Sequence, residues 1–95
     1  MQYIKDLIEI CESQENNKYA FVEISAYLEG LSLNELSEVQ AIMWLGRDGE
    51  YCKILTVHHN RCNTISYIAG KHYHCLAMYL KKGLDSLGEI GEVFK

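Results

Sequence analysis

Apolar residues recur along most of the chain at spacings of three and four, the period of helices with one buried face. In a first segment, Met1 to Gln14, Ile4, Leu7, Ile8 and Cys11 share a face while Lys5, Asp6, Glu9 and Glu12 lie opposite. Gln14 to Lys18 is a polar connector whose Asn16-Asn17 pair suits a turn. Tyr19 to Glu29 predicts a second helix with Ala20, Ile24, Leu28 and either Phe21 or Val22 inward, and with Gly30 at C′. The last segment, Lys71 to Leu87, repeats Tyr73, Leu76, Ala77, Leu80, Leu84 and Leu87 on one face over four turns.

The stretch Ser32–Gly49 carries the most explicit signals. Ser32 with Glu35 forms a capping-box pattern, and Leu31 with Leu36 occupies the positions of a hydrophobic staple. Leu36, Val39 and Met43 give it an ordinary core face. Ala41 to Leu45, which includes Trp44, is apolar all the way round, so this end belongs in the middle of the molecule. Gly46 and Gly49 bracket the expected stop, giving a helix over 33–46 that ends in an Asp48-Gly49 turn. Glu50 to Cys62 has helical spacing at Tyr51, Ile54 or Leu55, His58 and Cys62, although Ile54 to Val57 also suits a strand. Thr64 then predicts the N-cap of a short helix, Ile65 to Ala69, ended by Gly70.

Gly83 interrupts the last amphipathic pattern, where glycine costs nearly ~1 kcal/mol against alanine. Close approach of another backbone at Gly83, beside Leu84, is the expected reason. Gly88 and Gly91 are expected to end this helix, with Val93-Phe94 folding back onto the core. The chain has no proline. These elements predict an all-α bundle of five or six short helices, a single domain over 1–95. The helix over 33–46 lies at its centre, with 72–87 packed across it.

Composition adds bounds. A 48% apolar and 23% charged content is that of a globular protein. The longest apolar run is far too short for a membrane span and no signal-like region opens the chain, so the expected location is the cytoplasm. Cys11, Cys52, Cys62 and Cys75 read as reduced and mostly buried. Residues 1–50 carry three basic and ten acidic side chains, a net −7, whereas residues 51–95 carry six and three, a net +3. That division is either a pair of solvated faces or a means of association with another copy or a charged partner.

W-L-G-R-D-G at Trp44–Gly49, T-I-S-Y-I-A-G at Thr64–Gly70 and Y-L-K-K-G-L-D-S-L-G at Tyr79–Gly88 together resemble domain of unknown function 3775. These small bacterial proteins share a W-[LI]-G-R-G-D core, a Y-L-x-G segment and a closing Y-L-x-x-G-L-x-x-L-G helix. The resemblance covers roughly residues 20–90 in order and spacing, and implies an all-helical fold with no named activity. Arg47-Asp48-Gly49 departs from the R-G-D order, and Lys71 stands where a proline is common, as in a diverged, bacterial or phage-borne member.

Candidate chemistry is sparse. His58, Cys62, His74 and Cys75 supply donor types for zinc but lack a C-x-x-C or H-E-x-x-H pattern. Cys52, Cys62 or Cys75 beside a histidine can form a thiolate nucleophile, without a glycine-flanked signature. Lys53, His58, His59, Arg61, Lys71, His72, Lys81 and Lys82, with Tyr67, Tyr73 and Tyr79, can make a basic face for nucleic acid, against an acidic pI near 5.5. Asp6, Glu9, Glu12, Glu15, Glu23, Glu29, Glu35 and Glu38 can present an acidic surface to a basic protein, as an inhibitor of a nucleic-acid-processing machine does. Arg47 is expected to bind the last helix carbonyls and a carboxylate, Asp48 or Glu50, or else a partner.

The reading that results is a non-catalytic protein-interaction or regulatory protein, a homodimer in one form, with no cofactor, metal or membrane. Arg47, Asp48, Lys53, His58, His59, Arg61, Lys71 and His72 are its candidate contact residues. Ser32, Glu35, Trp44, Gly46, Gly83 and Leu84 are its structural ones. The acidic inhibitor and the nucleic-acid-binding module are the alternatives.

Overall fold

Both arms of the Ser32 capping box are closed. Ser32 Oγ accepts from the Glu35 amide at 3.1 Å, and the Ser32 amide donates to Glu35 Oε1 at 2.9 Å. Leu31 and Leu36, the staple pair, are both buried. The computed structural model describes residues 2–49 and 61–94, leaving aside the side chains of Asn17 and of residues 89–94. Five helices run in order: α1 (Gln2–Glu12), α2 (Asn17–Glu29), α3 (Leu33–Asp48), α4 (Arg61–Ala69) and α5 (Tyr73–Phe94). No strand occurs among the described residues, so the fold is an all-α bundle.

The hydrophobic pattern maps closely onto the core. Ile4, Leu7, Ile8 and Cys11 are the buried face of α1. Leu36, Val39, Ile42 and Met43 of α3 meet Tyr73, Leu76, Ala77 and Leu80 of α5 in one cluster, with Leu84 and Leu87 half-buried beside it. The α3–α5 pair has the most extensive contact of any two helices, and α1 packs on α5 while α2 bridges α1 and α4. Ala41, Ile42, Met43 and Leu45 are buried, but Trp44 among them is half-buried, so the expected burial all round holds for four of the five residues.

Glycine sets how close α3 and α5 come. A Cβ on Gly83 would sit 2.1 Å from the Ile42 carbonyl oxygen, and one on Gly46 would sit 1.8 Å from that of Tyr79 and 2.9 Å from the Gly83 nitrogen. The expected backbone approach at Gly83 is therefore present, and Gly46 is its counterpart. The stop expected between Gly46 and Gly49 is present, but the bound of 33–46 is too short, as the same contact explains. Gly46 is buried inside a helix that continues to Asp48, and Gly49 makes the stop with φ of 80° and its amide on the Leu45 carbonyl.

Other boundaries differ for local reasons. Asn16 Oδ1 accepts from the Tyr19 amide at 3.1 Å, so Asn16 caps α2 and the helix begins at Asn17 rather than Tyr19. Thr64 is not an N-cap: α4 begins at Arg61, and Thr64 is buried within it. Helix α5 passes through Gly88 and Gly91 to Phe94, so Val93-Phe94 extend it instead of folding back. Neither Phe21 nor Val22 turns inward, because Ala20, Ile24 and Leu28, each four residues apart, fill the buried face of α2 alone. Cys62 is exposed and Cys75 half-buried, correcting the expectation of mostly buried thiols. The expected helix over Glu50 to Cys62 lies outside the described residues except for Arg61 and Cys62, which open α4.

Polar contacts tie the helices at their edges. Tyr27 Oη donates to the Tyr3 carbonyl at 2.7 Å, and Tyr3 Oη donates to Glu38. Lys81 of α5 pairs with Glu12 of α1.

The glycines separate packing from propensity. Gly46→Ala and Gly83→Ala are each expected to lower unfolding free energy by about 3 kcal/mol or more, since backbone must move. Gly88 is helical with open space around its Cβ position, so Gly88→Ala is expected to raise it by about 0.5–1 kcal/mol. Urea denaturation of the three variants checks both signs.

Candidate interaction surface

The extra turn of α3 beyond Gly46 carries Arg47 and Asp48 to the surface beside α4. Arg47 Nε donates to Asp48 Oδ1 at 3.1 Å, its second terminal nitrogen to Asp48 Oδ2 at 2.9 Å, and its first to the Tyr67 hydroxyl at 3.4 Å. Trp44, one turn earlier, donates Nε1 to the same hydroxyl at 3.0 Å, with its ring edge-on to Tyr67 at 6.4 Å between centroids. Lys71 then lies over the other part of this group, its Nζ 4.6 Å from the Tyr67 ring centroid. One phenol thus joins an indole, a guanidinium and an ammonium from α3, α4 and the α4–α5 turn.

The electrostatics follow from those contacts. Hydrogen bonds from Trp44 and then Arg47 hold the Tyr67 hydroxyl below the ordinary phenol range, with the Lys71 and Arg47 charges acting the same way. The hydrogen bond to Asp48 leads in raising the Arg47 guanidinium, and the reciprocal bond holds the Asp48 carboxyl below its ordinary value. All of these groups keep part of their surface in water.

Beyond Lys71 the surface turns a corner. Ala20, Phe21, Ala69, Gly70, Lys71 and His72 line a depression of about 300 Å³. His72 opens α5: its carbonyl accepts from the Leu76 amide at 2.8 Å and its Nδ1 from the His74 amide at 3.2 Å. The His72 ring stacks with those of Tyr73 and His74 there, and the Tyr73 and His74 rings are tilted to one another by 42°. An aromatic and cationic strip therefore runs from Trp44 through Tyr67 and Lys71 to Phe21.

Of the candidate contact residues, Arg47, Asp48, Lys71 and His72 are brought together on this strip. Arg61 is not: its guanidinium donates to the Glu29 carbonyl at 2.6 Å and to that of Leu31, clamping the α2–α3 connection. Lys53, His58 and His59 lie outside the described residues. Tyr67 is the residue that sequence reasoning undervalued, and the signal was Trp44, whose indole N–H needs an acceptor wherever it is half-buried. Phe21 was undervalued because the helical period alone did not decide between it and Val22.

The other candidate chemistries find less. Among the described residues no three of His, Cys, Asp and Glu converge as metal ligands; His58 of the proposed zinc set lies outside them. Burial pushes the Cys11 thiol up to about 12, which makes it inert in the folded chain. The acidic surface is partly spent within the fold, with Glu12 on Lys81, Glu23 on Gln14, Glu35 on the α3 cap and Glu38 on Tyr3.

Two titrations test this geometry. The lowered Asp48 carboxyl contributes stability above its ordinary value and loses it as pH falls through the folded value. Trp44, the single tryptophan, is expected to report that acid step in its fluorescence, and Asp48→Asn to abolish it. The raised Cys11 thiol contributes below its ordinary value of 9.0 and ceases to as pH rises through about 12. At neutral pH a thiol reagent is expected to label Cys62 in the native protein and Cys11 only after unfolding, as read by peptide mass.

Comparison with known proteins adds no relative: no family model, no curated protein and no solved structure matches the chain.

Proposed function

We propose that this protein is a small non-catalytic interaction protein that binds a protein partner through the Trp44–Tyr67–Lys71–Phe21 strip. The observation that carries the reading is Tyr67, a partly exposed phenol held in place by Trp44 and Arg47 and covered by Lys71. Tryptophan, tyrosine and arginine dominate binding energy at protein interfaces, where their rigidity limits the entropy lost on docking. Here they are already fixed by their neighbours. The resemblance to domain of unknown function 3775 belongs to the same proposal, because its W-L-G-R and Y-I-A-G pieces supply Trp44, Arg47 and Tyr67.

The two alternatives draw less support. A nucleic-acid surface needs cations free to meet phosphate, and Arg61 and Lys81 are engaged with Glu29, Leu31 and Glu12. An acidic inhibitor needs carboxylates free to meet a basic protein, and six of the eight candidates (Asp6, Glu12, Glu23, Glu29, Glu35 and Glu38) have partners within the chain.

Affinity capture with the intact chain, using variants Phe21→Ala and Lys71→Glu against the control Lys82→Glu, tests the reading. A protein retained by the wild type and the control but depleted about tenfold or more by both strip variants is the expected result. Capture that is indifferent to all three variants, or that disappears on nuclease treatment, contradicts it.

A further inference from the structure

Helix α2 buries all the surface the monomer needs through Ala20, Ile24 and Leu28. On its opposite side Tyr19, Val22 and Ala26, at i, i+3 and i+7, form a second apolar stripe that faces water. Tyr19 is 64% and Val22 60% exposed. Valine and tyrosine are poorer helix formers than the lysine or glutamate a solvated face usually carries, so the stripe costs helix stability and gains nothing in the monomer.

The charges flanking the stripe indicate what covers it. Lys18 lies in the first turn of α2 and Glu29 is its last residue, eleven positions later. Eleven residues bring a helix back to within about 20° of the same line, about 16 Å further along. Each charge stands at the wrong end for its own helix, a cation at the positive N-terminus and a carboxylate at the negative C-terminus. A parallel neighbour would set lysine on lysine. An antiparallel copy, related by a two-fold axis near the middle of α2, sets Lys18 against Glu29 at both ends and gives every charge the opposite helix terminus as neighbour. Glu29 has capacity for this, because its Oε2 is 4.0 Å from Arg61 Nε, beyond hydrogen-bond range.

We infer that α2 is the interface of a homodimer in which two copies pack this helix antiparallel, Val22 and Ala26 closing between paired Lys18 and Glu29. The stripe and Phe21, where the strip proposed to take a protein partner ends, lie on adjoining faces of α2, and neither reading depends on the other. A 13-residue helix, about 20 Å long, offers less than the roughly 800 Å² per partner of tight complexes. The dimer is accordingly weak, with Kd on the order of 10 μM.

Sedimentation velocity on the full chain, across concentrations bracketing about 10 μM, reads the equilibrium. The wild type shifts from monomer to dimer, and Val22→Glu stays monomeric. Lys18→Glu and Glu29→Lys each raise Kd about tenfold, and the double variant returns it to within about threefold of the wild type. Because these positions are exposed, every variant keeps the wild-type circular dichroism; Tyr19→Gln is the second stripe variant should Val22→Glu lose it. A chain that stays monomeric throughout, a dimer that survives both stripe variants, or a double variant as weak as the singles overturns the inference.

Discussion

Where α3 crosses α5, the Gly46 and Gly83 backbones pass too close for any side chain, with Cβ positions overlapping the Tyr79 and Ile42 carbonyl oxygens. That approach fixes the separation of the two helices with the most extensive mutual contact, and it does so through backbone, which cannot repack as side chains do. Glycine inside a helix costs backbone entropy at both positions. The return is dispersion and burial along the whole crossing, from Leu36 and Val39 at one end to Leu80 at the other.

The surface depends on the same crossing. Since Gly46 is used for packing and does not end α3, the helix gains the turn that holds Arg47 and Asp48. Gly49, with its left-handed φ, closes it just past them. Arg47 then reaches Tyr67 of α4 one turn from where Trp44 does, and Lys71 covers the ring from the following turn. A short core contact and an exposed polar cluster are therefore consecutive consequences of one helix running two residues past its first glycine.

Much of the fold was legible because local chemistry and period agreed. The Ser32–Glu35 box, the faces of α1 and α5 and the burial of Ala41, Ile42, Met43 and Leu45 were each overdetermined, whereas Trp44 among them is only half-buried. The misreadings share a cause. The expected stops at Gly46 and Gly88 rest on backbone freedom, whereas the roles of these glycines are set by what lies opposite them: a backbone at Gly46 and open space at Gly88. Either Phe21 or Val22 is expected inward because α2 is apolar on both sides, and only the packing of Ala20, Ile24 and Leu28 decides which side is buried. The candidate surface was half legible. Arg47, Asp48, Lys71 and His72 are singled out by charge and position, but Tyr67, one of three candidate aromatics in the sequence, is shown to join them only by contacts across α3 and α4.

Because backbone contact at Gly46 and Gly83 cannot repack, the α3–α5 crossing is expected to be the last part of the molecule to open. Native-state hydrogen exchange tests it residue by residue. Amides of Ile42 to Leu45 and of Tyr79 to Gly83 are predicted to exchange only through global unfolding, with one common free energy equal to that from denaturant. Exchange at those amides through a smaller opening, while α1 and α2 stay protected, would contradict the account.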